Sequence, residues 1–349
     1  MIPYYLVFGL IIILALFSNK NSKLNFYDIL IMIVLITFSS VRYYVGTDYG
    51  LYLNIYDRIA VYGPIRGVEI NGVELGYSFL NYLTYRLFGE GYFIFFMSSI
   101  LIIIPFIVFI KKYSENYVIS IIFFYCFSFF TNSLNIQRQY IAAALLLISS
   151  IYILKEKYVT SFLFVLTALF FHRTAIVFFI VYPFIKQKKI TRKNYIFLFL
   201  FGIIATILFD SAISLIARVF DKYALYEGTI SKPGIGTLLT VSIFIAFSIA
   251  LMIRMNANKL AGNKIVYAKI FLLGIPFYIM SIKSYLIMRI GMVYFGVFMI
   301  ILLPEFFKDY DWRLKIIVYN TYIIVMSIWF YFYLVSQNGV VPYESFFIN

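Results

Sequence analysis

From Ile2 to Leu334 the chain is a succession of long apolar runs separated by short polar loops, and this pattern restricts the fold more than any motif does. About 20 apolar residues cross a bilayer as a helix, the one open structure that satisfies its own backbone polar groups in hydrocarbon. About ten to thirteen of the runs are long enough for membrane helices or half-helices. Composition agrees, with 63% hydrophobic residues, 13% charged residues and a mean hydropathy of +0.93, far from the values of a soluble domain. The expected fold is all-α: a polytopic integral membrane protein of about 12 transmembrane helices or half-helices, forming a single transmembrane domain over residues 1–349.

Several function classes fall away. The net charge of +14 is scattered through short loops rather than gathered on one soluble face, so nucleic acid is not an expected partner. Cys126 is the only cysteine and His172 the only histidine, which excludes an internal disulfide and any metal site built on cysteine or histidine clusters. No phosphate-binding glycine loop is present, and no metal or cofactor is expected. The Asp309-Tyr310-Asp311 triplet has acid-x-acid spacing, but it lies among Lys308, Arg313 and Lys315 and reads as a solvated loop. Abundant tyrosine and phenylalanine fit lipid-facing and interfacial positions.

Lysine-rich loops belong on the cytoplasmic side. Ser18–Asn25, Lys111–Asn116, Lys155–Lys157, Lys186–Lys193, Arg254–Lys264 and Pro304–Lys315 are of this kind. Placing them inside, with both termini outside, gives an alternation without contradiction. The first run, MIPYYLVFGLIIILALF, lacks a basic leader and stays as a first helix. The outer side then holds a loop at 42–91, a second at 210–235, and the turns near Thr131–Gln137, His172 and Ser284. Its basic residues are mostly arginine, including Arg42, Arg138, Arg173 and Arg289. Charge sorting would deplete lysine and arginine alike, so the bias needs another cause. A planar fork of donors grips phosphate at two points, and a phosphate-bearing ligand on the outer side accounts for it. The alternative is loop salt bridges to Asp48, Asp57, Glu69, Glu74, Glu90 and Asp221.

The region from Tyr158 to Ile185 contains His172 and Arg173 inside an apolar run. As one helix it would be roughly 42 Å long and would put two lysine clusters on opposite sides. Two short arms, Tyr158–Phe171 and Thr174–Ile185, keep the asymmetry and sink the polar turn below the outer surface, which requires protein or a water-filled cavity around it. The preceding pair, Tyr117–Phe130 and Gln139–Leu154, is joined by TNSLNIQR, so Arg138 opens an apolar helix. An ionisable group at such a depth is a functional candidate by default; the structural alternative is that it ties down carbonyls of the turn.

Four outer-side features remain: VRYYVGTDYGLY (residues 41–52), NIQRQYIAAAL (135–145), FHRTAI (171–176) and Arg289 in YLIMRIG. The Arg-x-x-x-Gly-Thr-Asp-Tyr element, the Arg-Gln-x-Ile-Ala helix start and the Phe-His-x-Thr-Ala turn come in this order, and over roughly residues 30–230 the chain resembles the EpsG family of polysaccharide polymerases, which includes many Wzy-type O-antigen polymerases. Thr174 stands where the family pattern favours serine, and the hydroxyl is kept.

The resemblance implies a GT-C-like, multi-pass glycosyltransferase of the bacterial inner (cytoplasmic) membrane. Such an enzyme joins undecaprenyl-pyrophosphate-linked oligosaccharide repeat units, donor and acceptor alike, into O-antigen or a similar surface polysaccharide at the outer face, without a metal. A chain-length regulator protein and membrane lipid are the partners it brings in. Arginines would stabilise the pyrophosphate leaving group, with Arg138 first, then Arg42 and Arg289. His172 or Asp48 would accept the acceptor hydroxyl's proton or orient it, and a protonated His172 could instead bind pyrophosphate. Tyr49, Gln137, Gln139, Tyr223 and Tyr226 are candidate sugar contacts, interfacial anchoring being the alternative for the last two. The competing functions are a flippase of the same lipid-linked units, which should show two related halves where none is evident, and an O-antigen ligase or membrane acyltransferase.

Overall fold

The computed structural model describes residues 1–18, 23–187, 192–211, 214, 234–260, 262–336 and 339–347. Among them the chain is all-helical apart from an isolated antiparallel bridge between Arg42 and Ser345. In order the first helices are α1 (Ile2–Phe17), α2 (Phe26–Ser40), α3 (Tyr49–Tyr62), α4 (Pro64–Asn71), α5 (Leu75–Phe88), α6 (Phe93–Tyr113), α7 (Tyr117–Cys126), α8 (Phe129–Asn135), α9 (Gln137–Leu154) and α10 (Tyr158–Leu169). A 3-10 segment, Arg173–Ile180, continues into α11 (Val181–Ile185), followed by α12 (Arg192–Ile207) and α13 (Ile235–Asn256). The helices Asn263–Leu272, Ile275–Met280, Tyr285–Ile290, Met299–Leu302 and Trp312–Ser336 complete the described chain.

Six of these helical stretches are long and apolar enough to cross a membrane: Phe93–Tyr113, Gln137–Leu154, Ile235–Asn256, Asn263–Met280, Tyr285–Phe306 and Trp312–Val335. The number rises to seven if the bent pair α7 and α8 is one span. Shorter apolar helices accompany them at Ile2–Phe17, Phe26–Ser40, Tyr158–Leu169, Arg173–Ile185 and Lys193–Ile207. The protein is a multi-pass helical membrane protein.

Local chemistry sets the helix ends. Asn25 and Asp28 form a reciprocal capping box that starts α2. Gly63, at φ +79°, breaks α3 from α4, and Pro64 then occupies the first turn of α4, where no amide hydrogen is needed. Left-handed glycines at Gly72 and Gly89 stop α4 and α5.

The chain divides into two compact units, Met1–Ile176 with Ile300–Asn349, and Val177–Met299. In the first, α9 packs on α10 and α6. Its buried residues include Ala142, Ala143, Ala144, Ser149 and Ser150, small side chains that let backbones approach; Ser149 and Ser161 share a hydrogen bond of 2.8 Å between α9 and α10. A buried ion pair of Lys111 with Asp28, 3.1 Å, ties α6 to α2. The segment Gly339–Phe346 straps the stretch after α2: Gly46 N–H donates to Gly339 O at 2.9 Å, Tyr43 N–H to Glu344 O at 2.9 Å and Phe346 N–H to Val41 O at 3.1 Å.

In the second unit the Tyr278 ring stacks on Phe244 at 4.8 Å, and Tyr285–Ile290 runs into a π-helical turn, Gly291–Phe295.

Two departures from the sequence reading concern the joints. The polar stretch after α7 is helix α8 rather than a loop, bent by 40° from α7. Thr, Asn and Ser favour turns, but every residue of α8 is buried, and packing overrides that preference. The stretch 42–91 holds three helices, α3 to α5.

Candidate active site

The site is built around Glu74, which the sequence reading left among the loop acids. Glu74 is the residue at which α5 begins, and its side chain makes no capping hydrogen bond. The free amide hydrogens of the first turn, which a helix start always leaves over, go instead to the chain turn after α10. Gly76 N–H and Tyr77 N–H donate to the Phe170 carbonyl at 2.8 and 3.3 Å. The approach requires a glycine, since a Cβ at residue 76 would lie 2.7 Å from the Phe170 oxygen. With the turn clamped, Arg173 N–H donates to Glu74 Oε1 at 3.2 Å. His172 Nδ1 lies 3.4 Å from the same oxygen, in ion-pair reach but without hydrogen-bond direction. From the other side Arg138, the second residue of α9, donates from Nη1 to Glu74 Oε2 at 2.8 Å.

One carboxylate thus joins the two residues that the sequence singled out most strongly. Glu74 is 8% exposed, while Arg138 and His172 keep 23% and 22% of their side chains accessible. Burial works against the charged carboxylate, but the contact with His172, the Arg138 charge and the Arg173 amide outweigh it and hold the Glu74 carboxyl down to about 2. The Arg138 guanidinium also lies 5.9 Å from the centre of the Tyr77 ring, and Tyr77 meets Tyr52 edge-on at 5.8 Å. Nothing in the separation of Glu74 from Arg138 or His172 along the chain marks the contact in advance, and its apolar neighbours Val73 and Leu75 do not set it apart from Glu69, which stands between Val68 and Ile70.

Arg42 is placed differently. It is wholly buried, with Nη1 donating to Ser39 O at 3.1 Å and to Ser39 Oγ at 3.3 Å, and Nη2 to Leu134 O at 2.8 Å. Its guanidinium lies over the Phe95 ring at 4.6 Å. Asp48 is half-buried just before α3, accepting from Thr47 Oγ1 at 3.2 Å. The Gly46 turn that carries it backs on Asn135: a Cβ at Gly46 would overlap that side chain's oxygen, and φ is +102°. No described contact joins Asp48 to Glu74.

Tyr49 is buried and stacked on Phe95 at 4.3 Å. Gln137 and Gln139 flank Arg138 and are both buried, and Gln137 Oε1 has no hydrogen-bond partner. Arg289 belongs to the second unit, half-buried and without a partner among the described residues. Tyr223 and Tyr226 lie outside the described residues. Asp311 accepts from Leu314 N–H at 2.8 Å at the start of the last helix, a capping task that accounts for one acid of the Asp309–Asp311 triplet. In the second unit an apolar cavity of about 480 Å³ between α12 and α13 is lined by Tyr195, Phe199, Met252 and Asn256 among others, with no charged group to serve chemistry.

A match to the EpsG family spans residues 25–345, nearly the whole chain. The chain belongs to the EpsG family. Members of this family are Wzy-like polysaccharide polymerases. The matched span holds Arg42, Asp48, Glu74, Arg138, His172 and Arg289. Searches among curated proteins and among solved structures returned no match.

Proposed function

We propose that this EpsG-family chain polymerises undecaprenyl-pyrophosphate-linked oligosaccharide repeat units into O-antigen or a related surface polysaccharide, at the outer face of the bacterial inner membrane. In this reading the fold is GT-C-like, and the long and shorter apolar helices together make about 12 spans or half-spans of a single transmembrane assembly. The observation that carries the assignment is the clamp of Arg138 and His172 on one buried carboxylate.

Transfer of a glycosyl chain breaks the bond between the sugar anomeric carbon and the pyrophosphate oxygen and forms one to an acceptor hydroxyl. Negative charge builds on the pyrophosphate, and the proton of the hydroxyl must leave. Arg138 is charged, fixed by Glu74 through one terminal nitrogen, and partly accessible, so the rest of its fork serves the leaving group. Glu74 lies within ion-pair reach of Nδ1 of His172 without a directed hydrogen bond, and Nε2 is the nitrogen we assign to the acceptor hydroxyl as a general base. Asp48 remains the competing base, and a protonated His172 the competing pyrophosphate ligand. Arg42 has both terminal nitrogens committed to protein acceptors, and we assign it the task of holding the joint between α2 and α8 that precedes Arg138. Arg289, without a protein partner among the described residues, keeps the role of a pyrophosphate ligand, and Gln137 and Gln139 those of sugar contacts. No step in this scheme calls on a metal.

The test is the product of Arg138→Ala and His172→Ala variants expressed to wild-type levels. The reading expects a ladder of polymer lengths to collapse to a single repeat on the outer side. A normal ladder in both variants overturns the site assignment, and substrate left on the cytoplasmic side would mark a flippase instead.

A further inference from the structure

Helix α5 has its polarity inside out. The buried face carries Tyr77, Ser78, Asn81 and Thr84, all fully inaccessible, with Leu80 as its aliphatic member, whereas Leu75, Phe79, Leu83 and Leu87 stand 37%, 48%, 49% and 60% exposed. Spaced by four residues, the exposed side chains form one continuous stripe. The middle of neighbouring α3 is the ordinary case, burying Tyr52, Ile55 and Ile59 and exposing Asn54, Asp57 and Arg58, with exposed apolar residues confined to its ends at Leu51, Val61 and Tyr62. Water favours the α3 arrangement; the α5 arrangement suits an apolar solvent.

The hydrogen bonds agree. Ser78 Oγ donates to Pro64 O at 2.6 Å, Asn81 Nδ2 to Tyr77 O at 2.7 Å and Thr84 Oγ1 to Leu80 O at 2.7 Å. Ser78, Asn81 and Thr84 on α5 thus donate within the protein, as hydrocarbon demands, and the buried Tyr77 hydroxyl is the one donor on this face without a hydrogen-bond partner among the described residues. The helix is also graded along its length. Leu75, Phe79 and Leu83 come first, and the exposed Tyr85 and Arg86 follow near the end, a pairing of aromatic ring and basic side chain typical of the headgroup level. At 1.5 Å per residue α5 is roughly 21 Å long, too short to cross the hydrocarbon core of roughly 30 Å. It packs on α6, itself long and apolar enough to span, so α5 lies beside a helix that the hydrocarbon core can hold.

We propose that α5 is not part of a water-borne loop but is inserted into the outer leaflet, its Leu75–Leu87 stripe against lipid acyl chains, with the Tyr85–Glu90 end at the headgroups and the Glu74 end deeper. The Glu74, Arg138 and His172 cluster then lies below the membrane surface, bordered by the exposed Leu75 and Phe170, and opens toward the leaflet. This holds whatever reaction the cluster performs.

The test is collision quenching of a nitroxide label on the full-length protein in phospholipid nanodiscs. Cys126 is wholly buried, so a single added cysteine takes the label in the native chain. Phe79→Cys and Leu83→Cys should be at least threefold more sensitive to oxygen, which concentrates in lipid, than to a water-soluble nickel chelate. Asp57→Cys and Glu69→Cys should show the reverse, and Tyr85→Cys should fall between. Nickel sensitivity at residues 79 and 83 equal to that at residue 57 overturns the proposal, because the face is then aqueous. Protection from both quenchers also overturns it, because a second copy or another protein then covers the stripe.

Discussion

Arg42 and Arg138 look alike in the sequence, each an arginine at the polar end of an apolar helix, yet their surroundings differ in kind. Arg42 has no ion pair with a carboxylate among the described residues. Carbonyls of Ser39 and Leu134 and the face of Phe95 take its charge, and none of its side chain reaches the surface. Arg138 spends one nitrogen on Glu74 and keeps part of its fork accessible. A guanidinium that satisfies main-chain acceptors is a fastener, while one that is balanced by a carboxylate and left partly open is available for a ligand. Burial and the identity of the partners, not position along the chain, separate the two.

The largest expected effect tests that separation directly. Arg138→Lys should leave the amount of folded protein unchanged while polymer output falls about a hundredfold, the order lost when a transition-state donor is removed, because an ammonium cannot reproduce the two-point grip. Arg42→Lys should do the opposite. Its three hydrogen bonds from a charged donor are worth about 1.5–3 kcal/mol each, and loss of their geometry should lower folded yield and melting temperature in detergent, with output per folded molecule kept. Gel ladders normalised to protein that elutes as a single species measure both. If the two variants respond alike, the distinction drawn here fails.

Much of this was legible before any coordinates. The apolar runs foretell a helical membrane protein, and the motifs around Arg138 and His172 foretell the family. The break at Phe170–His172 falls where the lysine pattern asks for a turn. Glu74 was not legible, because its pairing is chosen by the packing of α5 against the α10 turn, and nothing local distinguishes it from Asp57 or Glu69. The partners of Arg42 were hidden for a related reason: the Leu134 carbonyl that it meets belongs to α8, far along the chain. The helicity of α8 itself was hidden by its Thr, Asn and Ser residues, whose turn preference is weaker than the burial of the whole segment.

A middle-sized effect is expected at the carboxylate. Glu74→Gln keeps the shape but removes the charge that balances Arg138 and His172, and polymer output should drop about tenfold, less than the roughly hundredfold or more that an acid-base group itself supplies. The sign of the pH response follows from the depressed value. The carboxyl is charged in the folded chain down to about 2 against an ordinary 4.5, so its contribution to stability is complete above pH 4.5 and is lost as pH falls toward 2. The melting temperatures of wild type and Glu74→Gln should therefore differ at neutral pH and converge below pH 4.5; a constant difference down to pH 3 would show that Glu74 gains nothing from its partners.

The smallest effect should come from Gly76→Ala, which leaves every charged group in place. Its Cβ would stand 2.7 Å from the Phe170 oxygen and 2.9 Å from the Phe170 Cβ, so the turn must retreat and the two amide donors of α5 must lengthen their bonds to it. Overpacking of this kind costs about 1–3 kcal/mol, and here the strain falls on the link that holds His172 against Glu74. Output should fall severalfold with folded protein nearly unchanged. Gly50→Ala is the control, since the nearest atom to its Cβ is 4.0 Å away in Tyr44, and it should behave as wild type. Arg138 meets Glu74 from α9 and does not depend on the Phe170 turn, so a fall for Gly76→Ala alone would assign His172, separately from the arginine, a share of the work.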